Sequence, residues 1–184
     1  MRLVILDRDG VINEDSDEYI KSVDEFVPIP GSVAAIARLT LAGYRVAVAT
    51  NQSGVGRGLF DLPTLNAMHD KLRDLVAQQG GHVDEIVFCP HDPAAACDCR
   101  KPKPGLLKQI AEKFKTELVG VPVIGDSLRD LQSAIAVNAQ PILVRTGKGE
   151  RTLAQLALVQ ELGDVPVYQD LSAAVDAIIE NRIS

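Results

Sequence analysis

Residues 3–10 read LVILDRDG, a run of four apolar residues followed by two aspartates that flank an arginine, and then a glycine. A short apolar run of branched side chains is typical of a strand that is buried on both faces of a sheet. Asp-rich turns often end strands, so this stretch alone is also compatible with an ordinary turn. The residues that follow the other strands of the chain therefore decide what the aspartates mean.

Five further apolar runs alternate with helical patterns along the chain. The predicted strands are residues 3–6, 45–49, 85–88, 122–124, 141–144 and 165–168, and the predicted helices are residues 31–42, 62–79, 106–114, 128–137, 152–162 and 171–179. This alternation is typical of βαβ units. We therefore predict an α/β fold with a doubly wound, mostly parallel sheet, helices on both faces and no large cap domain, in a single domain over residues 1–184.

The composition excludes several classes of function. The chain has 184 residues and a formal net charge of −6, so it lacks the broad positive field of non-specific nucleic-acid binders. No stretch approaches the ~20 apolar residues of a membrane span, and the first apolar run is too short for a signal peptide. We expect a cytoplasmic monomer with no nucleic-acid partner and no membrane partner.

Polar side chains follow three of the predicted strands. They are Asp7, Asp9, Thr50, Asn51, Asp126 and Ser127. Because parallel strands end at one edge of their sheet, where ligands bind in α/β proteins, we expect these side chains to meet there.

All three cysteines of the chain lie within one short segment. Cys89, Cys97 and Cys99, together with His91, form the pattern C-x-H-x₅-C-x-C. Three thiolates and one imidazole are a ligand set of closed structural zinc sites. Cysteine also occurs as a small buried apolar residue, but that explanation does not account for the clustering. We therefore predict a zinc-binding loop at residues 89–99.

The motifs D-x-D-G, T-N, K-P and G-D-S-x-x-D occur in this order at residues 7–130, and with them the chain resembles phosphatases of the haloacid dehalogenase (HAD) superfamily. The resemblance implies that Asp7 is the nucleophile and Asp9 the general acid and base. It also implies that Thr50 and Lys101 hold the phosphoryl group. Mg²⁺ would be bound by Asp7, Asp9 and Asp126.

This set of residues suits the hydrolysis of phosphate esters. A carboxylate can accept the phosphoryl group covalently, but two anions approach each other only with a cation between them. A carboxylate at position 9 favours a phosphatase over the ATPases and dehalogenases of the superfamily. A mutase is disfavoured because residues 11–30 and 51–84 are too short for a full cap domain. We expect Asp130 to support the site without being a direct ligand.

The C-x-H…C-x-C-R-K-P pattern resembles two branches of the superfamily, the heptose bisphosphate phosphatases and the histidinol phosphatases. The resemblance implies a small phosphorylated sugar as substrate. The implied substrate contacts are Asp15, Ser16, Asp17, Glu18, Asn51, Gln52, Ser53, Arg57, Arg100 and Ser127. Arg57 and Arg100 are the candidates for a second phosphate, whereas the acidic residues suit sugar hydroxyls or the amine of histidinol phosphate.

Three alternatives stay open from the sequence. They are a histidinol phosphatase, a nucleic-acid 3′-phosphatase with a similar T-N-Q-x-G loop, and a zinc-binding module without catalytic activity. Residues 50–58 lack the Walker A pattern, and we interpret them as a phosphate-binding nest that leads into a helix. Residues 146–149 are interpreted as an ordinary loop.

Overall fold

The computed structural model describes residues 1–159 and 162–183, in which six strands form one sheet. The strands are β1 (Leu3–Leu6), β2 (Arg45–Asn51), β3 (Glu85–Cys89), β4 (Pro122–Gly125), β5 (Gln140–Val144) and β6 (Val167–Tyr168). The helices are α1 (Ser32–Leu41), α2 (Ser53–Gly56), α3 (Leu62–Gln78), α4 (Gly105–Phe114), α5 (Leu128–Ile135), α6 (Gly149–Leu156) and α7 (Leu171–Ile179). A short 3₁₀ turn spans Pro93–Ala95.

The strand order in the sheet is β3-β2-β1-β4-β5-β6, and every pair of neighbouring strands is parallel. The predicted doubly wound α/β fold is confirmed, with a fully parallel sheet in place of a mostly parallel one. From β1 the chain first adds strands on one side and then, after β3, returns to add β4 on the other side. The crevice between the carboxyl ends of β1 and its neighbours is therefore the topological switch point of the fold.

Both faces of the sheet are covered by helices, which explains why the strands are apolar throughout. In β1, Val4 and Leu6 pack in a core that also includes residues of α1, α3 and α7. Leu3 and Ile5 belong to a second core that includes residues of α4. Because successive side chains of a strand point to opposite faces, one apolar run of four residues supplies both cores.

Three elements depart most from the prediction, and the bounds of the other predicted strands and helices agree with it to within two residues. The helix predicted at residues 152–162 is α6, which begins at Gly149 and ends at Leu156; residues 160 and 161 of that prediction lie outside the described part of the chain. The last strand covers only Val167–Tyr168 of the predicted residues 165–168. The single turn α2 was not predicted, because its Gly-rich sequence carries no signal of helix propensity.

The segment between β1 and α1 covers one end of the core without forming a helix or strand among residues 7–31. Ile12 and Phe26 are fully buried, and the hydroxyl of Ser32 donates a hydrogen bond to the carbonyl oxygen of Ile12 at 2.6 Å. This segment lies beside the switch point but is not a cap domain, as predicted. Within the described residues, no helix has the length and apolar character needed to cross a membrane.

Candidate active site and metal centres

A cavity of about 360 Å³ opens at the carboxyl ends of β1, β2 and β4. The polar side chains that follow these three strands thus meet at one edge of the sheet, as expected from the sequence. The residues that line the cavity are Asp7, Asp9, Asp15, Ser16, Asp17, Tyr19, Ile20, Thr50, Asn51, Gln52, Ser53, Arg57, Pro93, Arg100, Lys101, Asp126, Ser127, Arg129, Asp130 and Lys148.

The buried ammonium group of Lys101 connects the loops at the floor of this cavity. Its Nζ donates to Asp7 Oδ1 at 2.9 Å, to Asp130 Oδ1 at 2.5 Å and to the carbonyl oxygen of Ala49 at 2.8 Å. Burial alone would lower the pKa of Lys101, but the attraction of the two carboxylates outweighs it and raises the pKa. Lys101 is therefore a fixed positive charge between β1, β2 and α5.

Three carboxylates crowd around this single lysine. Asp7, Asp126 and Asp130 each offer an oxygen that lies within 4.8 Å of the oxygens of the other two. Burial and the charge of Asp130 raise the pKa of Asp7 to about 7, and the same two causes raise the pKa of Asp126 to about 8. A hard divalent cation with oxygen ligands would relieve this repulsion, so the residues present fit the Mg²⁺ that the fold family implies.

Two glycines leave room for the carboxylate of Asp126. Gly10 has φ of +84° and Gly147 has φ of +57°, and a Cβ atom at either position would collide with Asp126 Oδ2. The main-chain N–H of Lys148 donates to the same oxygen at 2.7 Å, and the Thr146 hydroxyl donates to the carbonyl oxygen of Gly10 at 2.6 Å. Residues 146–149, predicted to be an ordinary loop, are therefore part of the wall of the site.

Asp9 lies beside this group, but its carboxylate is engaged elsewhere. Its Oδ1 accepts hydrogen bonds from Arg8 Nε at 2.9 Å and from Asn13 Nδ2 at 2.8 Å, and its Oδ2 accepts from Gln52 Nε2 at 2.9 Å. Burial would raise the pKa of Asp9, but the charge of Arg8 and these hydrogen bonds hold it below its ordinary value. The carboxylates that cluster with Asp7 are those of Asp126 and Asp130, so the Asp9 side chain stands outside this group and its predicted role as a Mg²⁺ ligand stays a prediction.

Arg8 is fully buried behind Asp9, and sequence reasoning assigned it no role. Its guanidinium forms an ion pair with Asp9 at 2.8 Å, lies over the ring of Phe26, and contacts His69 Nε2 at 3.3 Å. Burial and the adjacent charge of Arg8 lower the pKa of His69 to about 3, so that its imidazole is neutral. This stack holds the orientation of the Asp9 carboxylate from the side away from the cavity.

The polar side chains at the end of β2 form hydrogen bonds that hold other residues of the site in position. The side-chain amide of Asn51 accepts from the main-chain N–H of Lys101 at 3.0 Å and donates to its carbonyl oxygen at 3.2 Å. Gln52 Nε2 donates to Thr50 Oγ1 at 2.9 Å as well as to Asp9. Asn51 and Gln52 were predicted to bind substrate; they line the cavity, but these amide groups already hold the residues beside them.

Ser127 and Ser53, which were predicted to bind substrate, also line the cavity. The hydroxyl of Ser127 donates to Asp130 Oδ2 at 2.7 Å and its main-chain N–H donates to the same oxygen at 3.0 Å, which closes the first turn of α5. Ser127 therefore holds Asp130 in position. Asp130 itself contacts Lys101 and stands among the clustered carboxylates.

The segment before α1 contributes three of its four predicted residues to the cavity. Asp15, Ser16 and Asp17 line it, and Asp15 forms an ion pair with Lys148 Nζ at 3.3 Å. Glu18 is exposed and does not line the cavity, and its predicted contact with substrate stays a prediction. Its main chain is held in a local turn by hydrogen bonds with Ser16 Oγ and Lys21 Nζ.

Three arginines stand at the wall of the cavity, and one of them was not predicted. Arg57 is engaged with its surroundings, since it pairs with Asp92 at 3.3 Å and lies over the ring of Tyr19 at 5.8 Å. Arg100 is half-buried, and burial together with the charge of Arg129 lowers its pKa. Arg129, in the first turn of α5, had no motif to mark it, because its place in the site depends on the packing of α5 against the sheet.

The four predicted zinc ligands lie together in the loop after β3. Cys89 Sγ is 3.5 Å from His91 Nδ1 and 3.5 Å from Cys97 Sγ, whereas Cys99 Sγ is 3.3 Å from His91 Nδ1 and 3.6 Å from Cys97 Sγ. A tetrahedral zinc ion with Zn–S bonds of about 2.3 Å separates its sulfur ligands by about 3.8 Å. The donor atoms therefore have the chemistry and nearly the spacing of a Cys₃His zinc site.

Comparison with protein families places this site in a known group. Residues 3–127 match the family model described as polynucleotide kinase 3 phosphatase, and residues 98–174 match the model described as HAD-hydrolase-like. Together the two models span the sheet edge described above. The resemblance to HAD phosphatases is thereby confirmed.

Individual relatives are similar over almost the whole chain. The D-glycero-β-D-manno-heptose-1,7-bisphosphate 7-phosphatase of Pseudomonas putida is 59% identical over 179 residues, which cover 97% of this chain and 100% of that protein. The protein of the same name from Escherichia coli is 34% identical over 174 residues, covering 89% and 91%.

A solved structure agrees with them. The crystal structure of D,D-heptose 1,7-bisphosphate phosphatase from Bordetella bronchiseptica, complexed with magnesium and phosphate, has a TM-score of 0.94 at 52% identity and covers 98% of this chain and 99% of that one. The chain therefore belongs to the family described by the polynucleotide kinase 3 phosphatase model and, more narrowly, to the D-glycero-β-D-manno-heptose-1,7-bisphosphate 7-phosphatase family of HAD-like hydrolases.

Proposed function

We propose that this protein is a Mg²⁺-dependent phosphatase that removes the 7-phosphate of D-glycero-β-D-manno-heptose 1,7-bisphosphate, in the synthesis of heptose precursors of the lipopolysaccharide core. The observation that carries the proposal is the cluster of Asp7, Lys101, Asp126 and Asp130 at the carboxyl end of β1, with Asp9 beside it. The substrate is the one named for relatives that match the chain over nearly its full length.

In the first chemical step, the carboxylate of Asp7 attacks the phosphorus atom and the bond to the sugar oxygen breaks. Asp9 donates a proton to that oxygen, which leaves as the sugar hydroxyl, and an aspartyl-phosphate remains on Asp7. In the second step, Asp9 accepts a proton from the water that attacks the aspartyl-phosphate, and inorganic phosphate is released. Asp9 begins as a carboxylate in the free protein, and the arriving phosphate dianion favours its protonation through like-charge repulsion.

The other residues hold the phosphoryl oxygens and fix the reacting groups. Lys101 provides positive charge on one side. The Thr50 hydroxyl accepts from Gln52 and donates to the carbonyl oxygen of Asn51 only at 3.5 Å, so its proton can turn to a phosphoryl oxygen. The side-chain amide of Asn51 holds both the main-chain N–H and the carbonyl oxygen of Lys101. A Mg²⁺ ion bound by Asp7 and Asp126 would neutralise the carboxylates and the phosphoryl oxygens.

We also propose that Cys89, His91, Cys97 and Cys99 bind a structural zinc ion. The last ligand directly precedes Arg100 and Lys101 in the sequence, so zinc would fix the loop that carries both residues. Protein purified without chelator is expected to contain one zinc ion per chain, by metal analysis. Cys97→Ser should lower zinc content and the free energy of unfolding together, whereas Asp98→Ser, at an exposed position between two ligands, should change neither. Zinc-free wild-type protein would contradict this part of the proposal.

The substrate is tested by kcat/KM measured in one buffer with and without Mg²⁺. The β anomer of the heptose bisphosphate should exceed the α anomer, histidinol phosphate and a 3′-phosphorylated oligonucleotide. The oligonucleotide is included because residues 3–127 match the polynucleotide kinase 3 phosphatase model, although the net charge of −6 disfavours a nucleic-acid substrate. Preference for histidinol phosphate or the oligonucleotide would refute the substrate, and failure to hydrolyse any phosphate ester would refute the enzyme.

The working unit is proposed to be a single domain of residues 1–184 that acts as a monomer. Gel filtration with light scattering tests the monomer directly. A cytoplasmic location stays a prediction from the sequence.

A further inference from the structure

Two arginines at the cavity wall are not neutralised by the protein. Among the described residues, no carboxylate lies within ion-pair distance of Arg100 or Arg129, whereas Arg57 pairs with Asp92 and Arg8 with Asp9. Nη1 of Arg100 is buried and has no hydrogen-bond partner within the described part of the chain. The two guanidinium groups are close enough for their charges to repel.

This arrangement is unfavourable for the protein alone. A buried N–H donor without a partner lowers stability, because it has lost water and gained nothing in return. Arg129 also lies in the first turn of α5, where the positive end of the helix dipole disfavours a cation. Arg129 is exposed to solvent, and although Asp15 and Asp17 line the same cavity, no described acidic side chain forms an ion pair with either arginine. An anion from outside the protein would satisfy both arginines.

We propose that Arg129, together with Arg100, binds the phosphate group of the substrate that is not hydrolysed. The inference rests on the proposed function, which supplies a substrate with a second phosphate. Both arginines line the same cavity as Asp7, so one molecule can reach the nucleophile and the two guanidinium groups at once. Two planar guanidinium groups suit a phosphate dianion, because each donates several hydrogen bonds in a fixed geometry.

The arginine pair also predicts a preference against phosphate monoesters that carry a positive charge. A substrate with a cationic amine in place of the second phosphate, such as histidinol phosphate, would meet repulsion at Arg100 and Arg129. Arg57 is less suited to the second phosphate, since its charge is already shared with Asp92 and Tyr19. Arg129 is therefore inferred to be a specificity-determining residue, although no motif singled it out.

The test compares Arg129→Gln with Arg151→Gln on two substrates, the heptose 1,7-bisphosphate and the heptose 7-phosphate that lacks the second phosphate. Arg151 is exposed on α6 and does not line the cavity, so this control loses the same charge elsewhere. Arg129→Gln should lower kcat/KM for the bisphosphate roughly 10- to 100-fold, chiefly through KM. The value for the monophosphate should change less than about threefold, and Arg151→Gln should leave both unchanged. Arg129→Lys should restore part of the bisphosphate value.

An equal loss on both substrates, or no loss on either, would overturn the inference. A wild-type protein that does not hydrolyse the heptose bisphosphate would instead refute the proposed function. In that case two other substrates decide the inference, through the ratio of kcat/KM for fructose 1,6-bisphosphate to kcat/KM for fructose 6-phosphate. A wild-type ratio above one that falls at least tenfold in Arg129→Gln supports the second-phosphate site. Any other result overturns the inference.

Discussion

Replacing Lys101 with methionine would show how much of the stability of this site depends on one buried charge. Lys101 is 4% exposed and its Nζ contacts two carboxylates, Asp7 at 2.9 Å and Asp130 at 2.5 Å. Removing one partner of a buried ion pair lowers stability by about 3–5 kcal/mol, because the remaining charge is buried without compensation. For a chain of this length we expect the melting temperature to fall by roughly 10 °C.

Urea unfolding in buffer without added Mg²⁺ measures this loss. Lys108→Met, at an exposed position on α4, is the matched control and should stay within about 0.5 kcal/mol of wild type. The loss in Lys101→Met should be greater at pH 9 than at pH 6, since protonation at lower pH neutralises the carboxylates that have lost their partner. A loss below about 1 kcal/mol at pH 9 would refute the view that Lys101 compensates these carboxylates.

Three further predictions concern the carboxylates and the loops that hold them. Asp7→Asn should remove almost all turnover without lowering the urea midpoint in Mg²⁺-free buffer, because it removes a carboxylate whose burial is unfavourable; normal turnover would contradict a covalent role. In the absence of Mg²⁺, wild-type stability should fall as the pH rises from 5 to 9, because Asp7 and Asp126 keep their protons to about pH 7 and 8 in the folded state but release them near pH 4 when unfolded. Mg²⁺ should flatten this dependence, and a slope that Mg²⁺ does not change would contradict the carboxylate site. Gly147→Ala should raise the Mg²⁺ concentration needed for half-maximal activity about tenfold or more, because the added Cβ would displace the Asp126 carboxylate. Gly120→Ala is the control: Gly120 has φ of +70° and no atom within 4 Å of an added Cβ, so this variant has the backbone strain without the collision and should leave the Mg²⁺ requirement unchanged.

Much of the fold and of the catalytic cluster could be predicted from the sequence, because both follow from local patterns. The apolar run 3–6 is a strand in either context, and parallel pairing then brings the residues after β1, β2 and β4 to one edge. Asp7 and Asp126 therefore meet although they are far apart in the chain. The four candidate zinc ligands could be recognised for the same reason, since all of them occur within one loop.

The remaining features depend on contacts that leave no local pattern. Thr146 donates to the carbonyl of Gly10, 136 positions away, and nothing near either residue in the sequence signals that contact. Gln52 was predicted to bind substrate, and the hydrogen bond that its amide also donates to the carboxylate of Asp9 has no local pattern to signal it. Arg129 enters the cavity only because α5 packs beside β4 and β5, and a charged residue in a first helical turn has no distinctive motif.

The carboxylates of the site therefore lie at the floor of the cavity and the unpaired arginines at its wall, and this separation of charge predicts an order of binding events. At the floor, three carboxylates share one lysine, so a phosphate dianion is repelled there until a divalent cation is bound. At the wall, Arg100 and Arg129 carry positive charge that no described acidic side chain neutralises, so an anionic substrate is attracted before it reaches the floor. A bisphosphate satisfies both regions at once, one phosphate at the arginines and the other against Asp7, whereas a monophosphate satisfies only one of them. Selectivity in a site without a cap domain can then arise from the arginine pair, which distinguishes substrates by charge without having to enclose them.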